Sequence, residues 1–194
     1  MIFITNNLKK YLKARKSAKF LLIAEGLSYQ GGRFSGLAMT SERQIINDKE
    51  NLIFKGKKQR TSNPNCTEKK TIRELGFTEN TGTIVWKTLA PLMKSTDWIT
   101  WNIFPWHPHK AGDFLTNRLP REDEITAGLS IFKKHFAFLA KNRILISVGK
   151  TSGNTLEAAG YKSHTVRHPA NGGASKFKSQ IEEIIKFQQQ NLFT

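Results

Sequence analysis

Residues 167–177 read Arg-His-Pro-Ala-Asn-Gly-Gly-Ala-Ser-Lys-Phe, and they combine a titratable ring with a flexible backbone. His168 stands beside a proline that fixes the local backbone, and the turn at 171–173 leads into a basic helix. Residues 164–166 predict a short strand. A histidine at a strand end before a glycine-rich loop, in a very basic chain, indicates a group that acts on a nucleic acid. A His-Pro pair also occurs in simple turns, so the other strand ends must decide between these interpretations.

Two other predicted strands also end near side chains that can do chemistry. The apolar run at 20–24 leads into Glu25, and the strand at 98–103 carries Asn102 near its end. Because active sites of parallel sheets lie at the carboxyl ends of the strands, we expect Glu25, Asn102 and His168 to converge on one edge. A carboxylate, an amide and an imidazole at one sheet edge predict an active site there.

The rest of the chain alternates strands with helices, and this order predicts the fold class. The third strand is predicted at 143–148, and the fourth is the short strand marked by Val166. Helices are predicted at 8–19, 84–93, 121–140, 155–159 and 175–190. We therefore predict a single α/β domain over 1–194, a three-layer sandwich with helices on both faces of a central, mostly parallel four-stranded sheet. The polar, basic stretch at 49–70 is expected to be a mobile excursion over the surface.

The charge of the chain indicates its partner. Lys and Arg number 31 against 15 Asp and Glu, giving a net charge of +16 that is spread along the whole chain. A folded domain this basic most often binds a polyanion, and DNA is the partner we expect. The alternative is a soluble or ribosome-associated basic protein.

Cys66 is the only cysteine in the sequence. A single thiol excludes an internal disulfide, a zinc site built on thiolates and an iron–sulfur cluster with four thiolates. His107 and His109 have no third ligand at zinc-like spacing, so we expect no metal and no organic cofactor. The lack of a signal-like start and of any run of about 18 apolar residues predicts a cytoplasmic protein without membrane contact, which we expect to be a monomer.

Three motifs, in order and on the predicted strand ends, resemble those of the uracil-DNA glycosylase superfamily. The first, the Gly-Glu-Ala-Pro-Gly motif of one branch, is matched by residues 24–28. The second begins with a strand-end Asn, here Asn102, and runs on to an Asn-Arg-x-Pro segment before a helix, here residues 117–120. The third, His-Pro-Ser or similar, is matched by residues 168–170. The similarity runs from about residue 21 to about residue 187. The Pro and both small anchoring residues of the first motif are changed, to Leu27, Ala24 and Ser28, and the four cysteines of the iron–sulfur members are absent.

This resemblance implies a monofunctional DNA glycosylase that uses water to hydrolyse the N-glycosidic bond of uracil, or of a related damaged base, and so initiates base excision repair. Two alternatives stay open. One is a glycosylase for another deaminated base, such as hypoxanthine or xanthine. The other is a nucleic-acid-binding protein of the same fold with weak or no activity.

Within this interpretation, Glu25 and His168 are the catalytic residues. His168 is expected to donate a hydrogen bond to the departing base, and Glu25 to orient the attacking water or stabilise the cationic sugar. Asn102 offers one donor and one acceptor, the pairing that O4 and N3–H of uracil require. The structural alternatives are a Glu25 carboxylate that ties down the glycine loop and an Asn102 amide that caps a turn.

Other residues are expected to surround the base and the DNA. The additional substrate-contacting residues are Gly26, Ser28, Tyr29, Phe34 and Met39. Phe34 or Met39 would provide the stacking platform, although Phe34 is equally suited to the core. Contacts to the DNA backbone are expected from Arg33, Asn171, Gly172, Gly173, Lys176 and Lys178.

Overall fold

The computed structural model describes residues 2–63, 65 and 67–190 of the chain. Within them, a four-stranded sheet consists of β1 (Phe20–Gly26), β2 (Trp98–Phe104), β3 (Ile144–Val148) and β4 (His164–Val166). The spatial order is β2-β1-β3-β4, and every neighbouring pair is parallel. The predicted α/β class is confirmed, and the arrangement is consistent with a three-layer sandwich.

Eight α-helices accompany the strands in the described residues: α1 (Ile2–Lys13), α2 (Gly32–Ser35), α3 (Glu42–Ile46), α4 (Lys70–Leu75), α5 (Asn80–Leu89), α6 (Glu122–Ile131), α7 (Lys150–Ala158) and α8 (Ala174–Gln190). A π-helical turn (Phe132–Phe136) and a 3₁₀ turn (Ala137–Leu139) extend α6 as far as the sequence predicts. None of these described helices is long and apolar enough to cross a membrane.

Three of the predicted helices have wrong boundaries. α1 starts and ends about a turn and a half earlier than predicted, because the chain already turns at residues 14–17 before it enters β1. α5 and α7 start before the predicted 84 and 155, at Asn80 and Lys150. Their first turns are rich in Thr, Asn, Ser and Gly, which have low helix propensity, so packing decides the helix start there.

The core lies on both sides of the sheet. β1 is buried from Phe20 to Ala24, as the central position of a covered parallel sheet requires. α7 packs on β3 and β4, α8 packs on β4 and α5, and α6 packs on β2. A Cβ atom at Gly128 of α6 would lie only 2.1 Å from the Ile103 carbonyl oxygen, so this helix rests directly on the β2 backbone.

The stretch at 49–70 is not the loose surface excursion that its composition suggests. The described part contains no strand and no α-helix before α4, yet Ile53 and Phe54 are buried. The buried guanidinium of Arg15 donates hydrogen bonds to the carbonyl oxygens of Leu52 and Ile53. Two buried apolar side chains and a buried cation therefore anchor the segment to α1. Cys66 lies outside the described residues.

Candidate active site

A cleft of about 580 Å³ opens at the carboxyl ends of the strands. Its walls come from five parts of the chain that are distant in sequence. They are the end of β1 with Gln30, Met39, the start of α5 at 79–81, the loop residues 108 and 117–120, and the residues after β4 at 167, 168, 170 and 171. The cleft therefore lies at the edge where the sequence predicts an active site.

Glu25 and His168 approach each other at Gly149, the residue between β3 and α7. A Cβ atom at Gly149 would lie 3.4 Å from Glu25 Oε1 and 3.5 Å from His168 Cβ. Gly149 has a φ of 98°, a conformation that favours glycine. No described residue forms a hydrogen bond or an ion pair with the Glu25 carboxylate, so this side chain does not tie down the glycine loop.

His168 is held as a hydrogen-bond donor toward the cleft. The Ala170 N–H donates to its Nδ1 at 3.1 Å, so the proton of the neutral ring is on Nε2. Burial lowers the pKa of His168, the charge of Glu25 raises it, and Arg167 lowers it further. The net direction is downward, which keeps the imidazole neutral at neutral pH. Gly173 permits this loop to close, because a Cβ atom there would lie 2.0 Å from the His168 carbonyl oxygen.

Asn102 lies within β2, where it pairs with Ala24 of β1. Its side chain is 2% exposed, and neither Oδ1 nor Nδ2 has a hydrogen-bond partner in the described structure. The alternative of a turn cap is therefore wrong, since a capping amide bonds to backbone groups. The amide does not line the cleft itself; Ala24, its neighbour on β1, does. A buried amide without partners costs about 1–3 kcal/mol, which is the pattern expected of a group reserved for a ligand.

The segment 117–120, which ends the second predicted motif, joins the loop after β1 to the start of α6. The Asn117 Oδ1 accepts a hydrogen bond from the Tyr29 N–H at 2.9 Å, which fixes the loop after β1. The Arg118 guanidinium makes two hydrogen bonds of 2.6 Å to the Glu124 carboxylate and lowers the pKa of Glu124 to about 2. This segment thus holds the cleft wall to the start of α6.

The predicted base-contacting residues divide into two groups. Gly26, Ser28 and Met39 line the cleft, and Met39 is held at a φ of 47°, which is unusual for a residue with a side chain. Phe34 and Tyr29 do not line it. The Phe34 ring stacks on Phe77 with centroids 4.3 Å apart. Of the two residues expected to provide the stacking platform, Met39 therefore lines the cleft and Phe34 does not.

The predicted DNA contacts are also placed unequally. Asn171 lines the cleft and is exposed, as is Gly172, whereas Gly173 is buried against the His168 loop. Lys176 and Lys178 are exposed on α8, and the ammonium of Lys178 lies 3.7 Å from Glu182. Arg33 lies outside the cleft, and its guanidinium donates to the Phe114 carbonyl oxygen.

The two histidines of the loop before α6 hold its backbone. The His107 Nε2 is 2.7 Å from the Thr116 carbonyl oxygen, and the His109 Nδ1 is 2.9 Å from that of Lys110. In the described part of the chain, no group of three or more His, Cys, Asp or Glu side chains is arranged to hold a metal ion.

Sequence reasoning missed Glu79, the residue before α5. Its carboxyl group lines the cleft, is 8% exposed and makes no cap hydrogen bond to the helix. An acidic residue before a helix usually indicates a cap or a dipole interaction, so nothing in the sequence distinguishes this one. Only the packing of Gly31 against the carboxyl group reveals that it is buried.

Comparison with known proteins adds no relative to these observations. No protein-family model matches the chain, and no curated protein matches it significantly. The resemblance to uracil-DNA glycosylases therefore stays a prediction from the three sequence motifs.

Proposed function

We propose that this protein is a DNA glycosylase with a uracil-DNA glycosylase-like fold, which hydrolyses the N-glycosidic bond of uracil or a related damaged base. The observation that carries the proposal is the approach of Glu25 and His168 to each other at Gly149, together with the buried, unpartnered amide of Asn102 on β2. A neutral imidazole donor and a free carboxylate at the mouth of one cleft are the groups that this reaction requires. DNA as the partner, a monomeric state and a cytoplasmic location stay predictions.

In the proposed reaction, the bond between the sugar carbon and the base breaks, and its electron pair goes to the base. The Nε2–H of His168 donates to a base oxygen as negative charge develops there, an effect of about 3–4 kcal/mol for one well-aimed donor. A water oxygen bonds to the sugar carbon, and its proton passes to Glu25. The released base anion then takes a proton from solvent.

The Asn102 amide supplies selectivity in this proposal. A base that enters past Ala24 would pair its carbonyl oxygen with the amide N–H and its ring N–H with the amide oxygen. Cytosine presents the reverse pattern and would leave the amide unpaired, at a cost of about 1–3 kcal/mol for each group. The base must first leave the duplex, which costs least at a mismatch or in a single strand.

The test is base release from oligonucleotides under single-turnover conditions, with alkali used to reveal abasic sites. The substrates carry uracil, 5-hydroxymethyluracil, thymine, hypoxanthine or xanthine, each opposite guanine and each in a single strand. Uracil release is expected, and release of 5-hydroxymethyluracil is expected too, because Ser28 is too small to block a substituent at C5. If hypoxanthine or xanthine is released instead of uracil, the protein is a glycosylase for another deaminated base.

His168→Ala is the decisive variant, with His164→Ala as its control. His168 lines the cleft, whereas His164 is an exposed residue of β4. We expect His168→Ala to slow base release about a hundredfold or more, with DNA binding little changed. His164→Ala should stay within about twofold of the parent, as for a surface substitution. DNA binding without release of any base would refute the enzymatic function and leave a binding protein.

Salt dependence tests the partner separately. With a net charge of +16, the protein is expected to bind DNA mainly through phosphates. If about six phosphates are contacted, the affinity falls roughly a thousandfold between about 50 and 200 mM salt. A flat response would mean that the charge serves another purpose.

A further inference from the structure

Among the described residues, Glu79 carries the one carboxyl group of the cleft wall that the proposed reaction leaves unused. Its Oε2 is buried and has no hydrogen-bond partner among the described residues. A Cβ atom at Gly31 would lie 1.8 Å from this oxygen, so only glycine at position 31 leaves room for the carboxyl group. The next two residues, Asn80 and Thr81, also line the cleft.

The surroundings of Glu79 favour the uncharged form of its carboxyl group. Burial raises the pKa of Glu79 to about 7, and no charged neighbour contributes to this shift. The charged and titratable groups on the surrounding elements are Glu25, Arg33, Glu42, Arg43, Arg118, Arg167 and His168. None of them forms a hydrogen bond or an ion pair with Glu79 within the described structure. A carboxyl group held without a partner in a cleft is available to a ligand.

We propose that Glu79, as a neutral carboxylic acid, donates a hydrogen bond to a carbonyl oxygen of the base that enters the cleft. This inference depends on the proposed function, because it assigns a second donor to the same site. The carbonyl oxygens of the base gain negative charge as the glycosidic bond breaks, so a neutral acid stabilises the transition state more than the ground state. An ionised carboxylate at the same place would repel the departing base.

The proposal predicts a specific dependence on pH. Only protonated Glu79 is a donor, so base release should fall about tenfold per pH unit once the pH exceeds the pKa of Glu79. Glutamine keeps a donor and does not titrate. Glu79→Gln should therefore retain base release within about tenfold of the parent near pH 6 and lose the fall at alkaline pH. Glu79→Ala should be slower by on the order of a hundredfold at acidic pH.

The experiment measures single-turnover release of uracil from single-stranded DNA over about pH 5.5 to 9. Glu157→Gln is the matched control, because it removes the same charge from an exposed position near the end of α7 that is distant from Gly149. This control should keep the alkaline fall of the parent protein. Circular dichroism and thermal unfolding establish that each variant is folded. If Glu79→Ala does not fold, the comparison between the parent protein and Glu79→Gln carries the test.

Two outcomes separate this inference from the proposed function. If uracil is released and Glu79→Gln shows the same alkaline fall as the parent, Glu79 is not the donor, although the glycosylase function stands. If no base is released from any substrate, binding of free uracil is measured by NMR at about pH 6 and pH 9 instead. The donor role is supported if the parent protein loses uracil binding at high pH while Glu79→Gln retains it. It is overturned if uracil binding changes neither with pH nor with the substitution.

Discussion

Two buried glutamates of this protein have opposite surroundings. Glu42 is 1% exposed, and its carboxylate accepts hydrogen bonds from the backbone N–H groups of Thr61, Ser62 and Phe77 and from the Ser62 hydroxyl group. Glu79 is 8% exposed and has no partner among the described residues. A carboxylate that is surrounded by donors stabilises the fold, whereas one without donors costs stability. The difference indicates that Glu42 is structural and that Glu79 is kept for a ligand.

The same contrast exists between two larger regions. One of them, which we call the anchoring region, consists of Arg15, Glu42 and the loop residues that they bind. There, the buried guanidinium and carboxylate form hydrogen bonds with the loops at 52–53 and 61–62. The Arg15 guanidinium lies 3.9 Å from the centre of the Tyr11 ring and donates to carbonyl oxygens of α1 and of the 49–70 stretch. In the cleft wall the Glu79 Oε2 is buried without a partner among the described residues, and so are both polar atoms of the Asn102 side chain, next to Ala24 of that wall. Single atoms without partners also occur in and around the anchoring region, at Asn7 Oδ1, Arg15 Nε and Gln59 Oε1. The contrast therefore concerns whole groups: both oxygens of the Glu42 carboxylate have partners, whereas neither polar atom of the Asn102 amide has one.

The largest expected effect is on Glu42. Glu42→Gln should lower the free energy of unfolding by about 3 kcal/mol or more, because it turns an NH₂ group toward backbone N–H donors. Urea denaturation near neutral pH measures this loss, and Glu157→Gln, at an exposed position, should change it by less than about 0.5 kcal/mol. A neutral result for Glu42→Gln would remove the distinction between the two glutamates.

The matched substitution at Glu79 should have the opposite sign. The pKa of Glu79 is raised from 4.5 to about 7, so between these values the folded protein holds a proton that the unfolded chain has lost. Stability therefore falls as the pH rises through this window, by about 3 kcal/mol in total. Glu79→Gln should be more stable than the parent by up to this amount at about pH 8, and equal to it near pH 4. Parallel stability curves for the two proteins across this range would contradict the burial of an unpaired carboxyl group.

A smaller effect is expected inside β2. Asn102→Leu replaces an unpartnered amide by an apolar group of similar size, and it should stabilise the protein by about 1–2 kcal/mol while base release falls. Thr100→Val on the same strand is the control. The Thr100 hydroxyl bonds to Tyr11 and to the Ala38 carbonyl oxygen, so losing it should destabilise the protein by about 1 kcal/mol. If both substitutions destabilise equally, the Asn102 amide is satisfied in solution.

The smallest effect on stability is expected at the surface. Lys176→Ala should change the free energy of unfolding by less than about 0.5 kcal/mol, because Lys176 is exposed and forms no ion pair within the described structure. It should nevertheless reduce the slope of log affinity against log salt concentration by about 1, the value expected for one lost phosphate contact. Lys134 is the control, because it is exposed in the π-helical turn after α6 and does not line the cleft. An equal change for Lys134→Ala would mean that DNA contacts are not confined to the cleft side.

Local sequence patterns were sufficient to predict the strands and the edge where side chains converge. The apolar run that forms β1 and the order of strands and helices predict a covered parallel sheet, and the structure has one. Parallel strands also require Glu25 and His168 to lie near one edge, because every strand runs in the same direction. The helix starts of α5 and α7 were not predictable in this way, since their polar first turns are stabilised by packing and not by propensity.

The sequence by itself determined the basic charge, the fold class and the positions of Glu25, Asn102 and His168 along the chain. Only the tertiary structure decided which polar groups have partners. Glu42 and Glu79 are the same residue type, each at the N-terminal end of a helix, and no local pattern separates them. Their difference arises from residues distant in sequence. Thr61 and Ser62 donate hydrogen bonds to the Glu42 carboxylate, whereas Gly31 packs closely against the Glu79 carboxyl group without donating a hydrogen bond to it. Burial and hydrogen bonding depend on the whole fold, so they become visible only when the chain has folded.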